Sequence, residues 1–165
     1  MLRLIITTTD GKKSELYVPA DTSSAMDQGW KIVAVPLQAI TGLDRTNKTI
    51  QSVAISGNTI ATFYIGDLRI VDDPTPIRGE LVPSTPINMA LGDEYTFSGS
   101  GAGGSSILRY TWDFDDRDGI QVDAEGQSVT RKFRKAGTYT ITLTIADYYG
   151  LKQPYTATVK VTVNP

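Results

Sequence analysis

The stretch Thr138–Asp147 constrains the fold more than any other part of the chain. Tyr139, Ile141, Leu143 and Ile145 alternate with Thr138, Thr140, Thr142 and Thr144 without a break. Side chains on a strand point to opposite faces with a period of two, so this pattern buries one face and leaves the other polar. A helix cannot use it, because a helical stripe needs apolar residues at i, i+3, i+4 and i+7. Thr156–Val163 repeats the alternation with Val159, Val161 and Val163, and Ile107–Asp115 does so with Leu108, Tyr110, Trp112 and Phe114. Nowhere does a helical stripe persist for three turns. Short alternating strands separated by turn signals predict a sandwich of two antiparallel sheets.

Composition narrows the chemistry. The chain has 165 residues and contains no His and no Cys. That removes Ser-His-Asp and Cys-His triads, thiol redox chemistry, zinc sites built on imidazole or thiolate, and any disulfide framework. The net charge of −2 lacks the basic excess of a nucleic-acid binder. No apolar run approaches the roughly 18 residues of a membrane span. The opening Met1–Thr7 is too short for a signal peptide and reads as a strand. A strand that begins at the second residue points to a piece of a longer exported chain rather than an intracellular protein.

Two segments emerge, divided by prolines. Residues 1–73 predict about five strands: Leu2–Thr9, closed by the turn Asp10-Gly11; Ser14–Pro19; Trp30–Leu37; and Ile50–Ser56 and Ile60–Val71, joined through Gly57-Asn58-Thr59. Between them, Asp21–Gln28 is polar and holds at most one helical turn. Residues 74–84 carry Pro74, Pro76 and Pro83, which read as a semi-rigid linker. From residue 85 onward the pattern is strand again, with Gly99–Ser106 as a Gly/Ser loop.

The second segment carries a specific resemblance. Tyr110-Thr111-Trp112-Asp113-Phe114-Asp115, then Phe133, then Ala136-Gly137-Thr138-Tyr139 through Asp147, with Gly150 after it, resembles the PKD domain family of immunoglobulin-like modules. The resemblance covers about residues 85–165 and implies a seven-strand sandwich with Trp112 between its sheets. Where the family carries His and Pro, this chain has Arg131 and Ala136, and the family's Gly-Asp-Gly is Asp116-Arg117-Asp118-Gly119. More loosely, Gly29–Leu37 and Phe63–Ile70 resemble later strands of bacterial carbohydrate-binding jelly rolls of the galactose-binding type. The expected fold is therefore all-β: a partial jelly-roll-like sandwich followed by an immunoglobulin-like sandwich.

Several groups are candidates for function. Tyr17, Trp30 and Tyr64 are the aromatics of the first segment placed to stack on sugar rings, although Trp30 also opens an alternating strand, where a core position is the plainer reading. Asp113 and Asp115 are two apart on a strand, so their carboxylates share a side and repel, and a hard cation would relieve that. The family resemblance adds Asp147, and implies a calcium site at Asp113, Asp115 and Asp147. A solvated acidic loop, partly neutralised by Arg117 or by the basic run Arg131-Lys132-Phe133-Arg134-Lys135, explains the same residues. That run reads first as a solvated strand end, and otherwise as a contact for an anionic polymer or for a second copy. Gly99-Ser100-Gly101-Ala102-Gly103-Gly104 fits G-x-G-x-x-G, but a strand follows it where a phosphate loop needs a helix. Asn47-Lys48-Thr49 is a glycosylation triplet, a pattern that chance often supplies.

The function expected is that of a non-catalytic accessory region of a secreted or cell-surface bacterial protein, binding glycan weakly or spacing neighbouring modules. A surface or adhesion spacer without ligand is the alternative. The expected partners are polysaccharide or neighbouring domains, without nucleic acid and without membrane insertion.

Overall fold

The computed structural model describes residues 2–18, 24–25, 30–58, 60, 62 and 64–165. The chain divides into two compact units, Met1–Asp73 and Pro74–Pro165. It is all-β: a partial, jelly-roll-like sheet unit followed by an immunoglobulin-like sandwich.

The first unit holds β1 (Leu2–Thr8), β2 (Lys13–Val18), β3 (Ser24–Ala25), β4 (Lys31–Ile32) and β5 (Ile50–Gly57). β2, β1 and β5 form an antiparallel sheet in that order. The predicted Asp10-Gly11 turn joins β1 to β2, with Gly11 at φ 78°, a conformation that costs glycine nothing. One face of β1 supplies the core: Ile6 is buried with Ile40 and Leu43, and Leu4, Leu16, Val35 and Ile50 pack around them. Asn47 clamps the loop before β5. Its side-chain amide donates to Thr9 Oγ1 at 2.7 Å, and its backbone N–H to Asp10 Oδ2 at 3.2 Å. The glycosylation triplet is thus a piece of loop architecture.

Of two strands expected here, one is shortened and the other does not form among the described residues. Of Trp30–Leu37, only Lys31–Ile32 is strand, and a 3-10 turn follows at Leu37–Ala39. Pro36, with no N–H to give a neighbouring strand, stands immediately before that turn. The second is Ile60–Val71, where residues 64–71 carry no regular structure. Ile65, Leu68, Ile70 and Val71 are all exposed, and a β-branched run becomes strand only where a face finds something to pack on. Of the polar stretch Asp21–Gln28, only Ser24–Ala25 lies within the described residues; Thr59 and Phe63 lie outside them.

The second unit is built from β6 (Arg78–Val82), β7 (Ile87–Ala90), β8 (Glu94–Ala102), β9 (Leu108–Asp113), β10 (Ala124–Glu125), β11 (Ser128–Lys132), β12 (Gly137–Asp147) and β13 (Tyr155–Asn164). One sheet runs β10-β9-β12-β13-β7 and the other β11-β8-β6. Only β13–β7 pairs in parallel within these sheets; the remaining ladders are antiparallel. Trp112, Phe97, Phe114, Ile141, Leu143, Ile145 and Val161 fill the space between the sheets. The seven strands expected after residue 85 are β7 to β13.

The eighth strand, β6, corrects the sequence reading of residues 74–84 as a linker. Ile77 and Leu81 are buried, while Arg78, Glu80 and Val82 are exposed. The segment therefore alternates like any half-buried strand. Its prolines flank it rather than interrupt it, and β6 lies at a sheet edge, where a proline is tolerated.

A second correction concerns Gly99–Ser106. Gly99 and Gly101 are not loop residues but lie inside β8, opposite Leu81 and Gly79 of β6. A Cβ on Gly79 would fall 2.5 Å from Ile145 Cδ1 and 2.8 Å from Tyr155 Cδ1, and one on Gly99 2.7 Å from Leu143 Cδ2. These glycines let the two sheets approach closely. Gly79→Ala should therefore cost about 1–3 kcal/mol through overpacking. Urea unfolding would measure it; a stability equal to that of the parent would show that Ile145 and Tyr155 have room to move.

Candidate functional site

Trp30 stands immediately before β4 and is 47% exposed, so it is a surface residue rather than a core one. Its six-membered ring lies against Gly66: a Cβ there would be 3.2 Å from Trp30 Cζ3 and 3.4 Å from Cη2. The glycine makes room for the indole. Tyr64, two residues earlier, is 80% exposed. The structure thus brings the segment around Tyr64 to Trp30. Tyr17 is exposed too, but it sits on β2 opposite Arg3 of β1, whose guanidinium lies 5.7 Å from the Tyr17 ring centroid. Its contacts belong to the β1–β2 ladder. In the second unit, Tyr148 is exposed and meets Tyr149 edge-on at 5.1 Å.

The aspartates expected to hold calcium do not converge. In the β9–β12 ladder, Asp113 lies opposite Thr142, and Asp147 lies opposite Leu108. Asp147 is therefore five strand positions from Asp113, about 17 Å at the usual rise. Among the described residues, no group of three potential ligands is placed to hold a metal ion. Each carboxylate instead organises a loop. Asp113 is buried; its Oδ1 accepts the Asp115 N–H at 2.9 Å and its Oδ2 the Gln121 N–H at 3.2 Å. Asp147 Oδ2 accepts the Leu151 N–H at 2.9 Å. Asp123 Oδ2 accepts the Phe114 N–H at 3.0 Å, a partner that the sequence motif did not single out. Asp115 pairs with Arg117 at 2.8 Å, and this hydrogen bond and charge hold its carboxyl below the usual range.

These contacts make Asp113 a structural residue. Asp113→Ala should leave two backbone donors without their acceptor and cost about 1–3 kcal/mol. The melt of the parent chain should be the same in millimolar calcium as in chelator. A site saturated a hundredfold over its dissociation constant would instead add about 2.7 kcal/mol.

The basic run forms one wall of an open groove of about 520 Å³, lined by Phe114, Asp115, Thr130–Lys135 and Tyr139. Arg131 and Lys132 end β11, and Arg134 and Lys135 lie in the turn to β12. The Arg131 guanidinium lies 4.8 Å from the Phe114 centroid, and that of Arg117 lies 5.0 Å from the Tyr139 centroid. Asp115 is the one carboxylate among the lining residues, and it pairs with Arg117.

No helix among the described residues is long and apolar enough to cross a membrane. Residues 81–163 match the PKD domain family. No curated protein matches the chain. Among solved structures, the fibronectin(III)-like modules of CbhA from Clostridium thermocellum are similar at 13% identity, covering 53% of this chain and 97% of that one, with a TM-score of 0.42. The PKD domain of human KIAA0319 is similar at 16% identity, with 60% and 93% covered and a TM-score of 0.40. The first PKD domain of the metalloprotease PrtV from Vibrio cholerae shows 25% identity, with 53% and 96% covered and a TM-score of 0.35.

Proposed function

The chain belongs to the PKD domain family through residues 81–163, and from that premise we propose that it works outside a bacterial cell as an accessory region whose first unit binds neutral polysaccharide weakly. On this reading the all-β module does no chemistry of its own. The observation that carries the binding proposal is Trp30, half-exposed, with its ring braced on Gly66 and the exposed Tyr64 two residues away. An aromatic face carries negative charge density and attracts the C–H face of a sugar ring. A braced indole loses little freedom when it binds. A net charge of −2 offers little long-range steering to polyanions, so this site suits an uncharged chain.

The test is intrinsic fluorescence. The chain has two tryptophans, and Trp112 is 0% exposed. Iodide should therefore quench the Trp30 component alone. Titration with soluble neutral polysaccharides should shift that component and protect it from iodide. Trp30→Ala and Tyr64→Ala should abolish binding in affinity electrophoresis, and Tyr64→Ala should change stability by less than about 0.5 kcal/mol, as surface substitutions do. Retention of binding in both variants, or no response to any neutral polysaccharide, would leave the first unit as a spacer.

A further inference from the structure

We propose that the groove beside β11 in the second unit is a separate binding site, and that its ligand is an anionic glycan chain carrying carboxylate or sulfate groups. This is independent of the Trp30 proposal and involves different residues. Arg131, Lys132, Arg134 and Lys135 line the groove against a single carboxylate, Asp115, which Arg117 already engages. The chain as a whole is negative, so positive charge is concentrated here. Among the residues whose side chains are described, which leave out Asp116, none of the four groove cations takes part in an ion pair.

The aromatic residues decide which anion fits. Phe114 and Phe133 are buried, and the Arg131 guanidinium lies over the Phe114 ring. Arg117 caps Tyr139. Ring faces on which a nucleic-acid base would stack are therefore taken by guanidinium groups. A neutral sugar is excluded from stacking in the same way. What remains for recognition is charge, presented by Arg131 over the Phe114 ring and by Lys132, Arg134 and Lys135 along the same wall, with guanidinium groups able to meet paired anionic oxygens. The groove is open rather than enclosed, which suits a segment of a polymer. The acidic loop of a second copy is a poorer occupant, because Asp113, Asp115 and Asp123 already accept hydrogen bonds within their own chain.

Charged residues on β11 have another use, since β11 is an edge strand and cations there prevent edge-to-edge pairing. That role involves Arg131 and Lys132 but not Arg134 and Lys135, which lie beyond the end of the strand at Lys132. The decisive variant is therefore Arg134→Gln/Lys135→Gln, which keeps the edge protected.

The experiment is affinity electrophoresis and calorimetry on the full chain. The probes are heparin oligosaccharides for sulfate, polygalacturonate for carboxylate, dextran as the neutral control and oligothymidylate as the nucleic acid. At least one anionic glycan should bind at about 50 mM salt and weaken roughly tenfold by about 200 mM. Arg134→Gln/Lys135→Gln should weaken it at least fivefold with an unchanged melting temperature, while Lys13→Gln/Lys160→Gln, which removes equal charge elsewhere, should keep parental affinity. The proposal fails if neither anionic glycan binds, if the two variants lose affinity equally, or if oligothymidylate binds as tightly as the better glycan. It also fails if the groove variant reverses a self-association seen at low salt, since that would assign the groove to a second copy.

Discussion

A fragment of residues 85–165 should lose its cooperative thermal transition, whereas one of residues 74–165 should keep it. The shorter piece looks complete by sequence pattern, because it contains every strand of the family resemblance. It lacks β6, however, and with it the buried Ile77 and Leu81. Fully burying an aliphatic side chain is worth about 1.5–3 kcal/mol, so roughly 3–6 kcal/mol of hydrophobic stabilisation goes with the pair. β8 would also lose its partner from Ser98 to Ala102, exposing an edge whose inward residues are glycines. A small domain has only about 5–15 kcal/mol in hand. Near-ultraviolet dichroism and calorimetry on the two fragments decide the matter. Coincident melts would show that β6 is an accessory to the sandwich, not a member of its core.

Trp112→Ala should cost roughly 3–5 kcal/mol, as large-to-small changes at buried aromatic positions do. The indole is fully buried, stacked on Phe114 with centroids 6.4 Å apart and planes 9° apart, and tilted against Phe97 at 6.2 Å. Its Nε1–H donates to the Gly126 carbonyl at 2.8 Å, tying β9 to the turn before β11. Trp112→Phe separates the two contributions: it retains most of the apolar volume and leaves that carbonyl without its donor, for about 1–3 kcal/mol. Urea unfolding of both variants provides the measurement. A loss below about 1 kcal/mol for the alanine variant would mean that neighbouring side chains close the space Trp112 occupies.

Much of the second unit was legible in the sequence because its strands carry their own instructions. Trp112 and Phe114 are inward because a strand has a period of two, and no distant residue can change that parity. The same parity placed Leu143 and Ile145 in the core. The first unit was less legible. Residues 64–71 have the composition of a strand, but composition cannot reveal that Ile65, Leu68, Ile70 and Val71 stay exposed. Trp30 was ambiguous for a related reason: its burial depends on where the chain around Gly66 passes, and Gly66 carries no pattern that would show it.

The aspartates divide along the same line. Local pattern and composition were enough to stand Asp113 and Asp115 on one side of a strand, away from Trp112, to make the chain all-β, and to leave out histidine and thiol chemistry. The partners of the carboxylates came from folding. Register set Asp147 at the far end of the ladder from Asp113, and the loop up to Gln121 folded back to give Asp113 its backbone donors. Folding also turned a proline-flanked segment into a half-buried edge strand and made Gly99 and Gly101 the place where two sheets meet. The physical reason is the same in each case. Side-chain alternation is a local property, carried by a few consecutive residues. Pairing register, sheet separation and the partners of a buried polar group are relations between segments far apart in the chain, which exist only once the chain has folded.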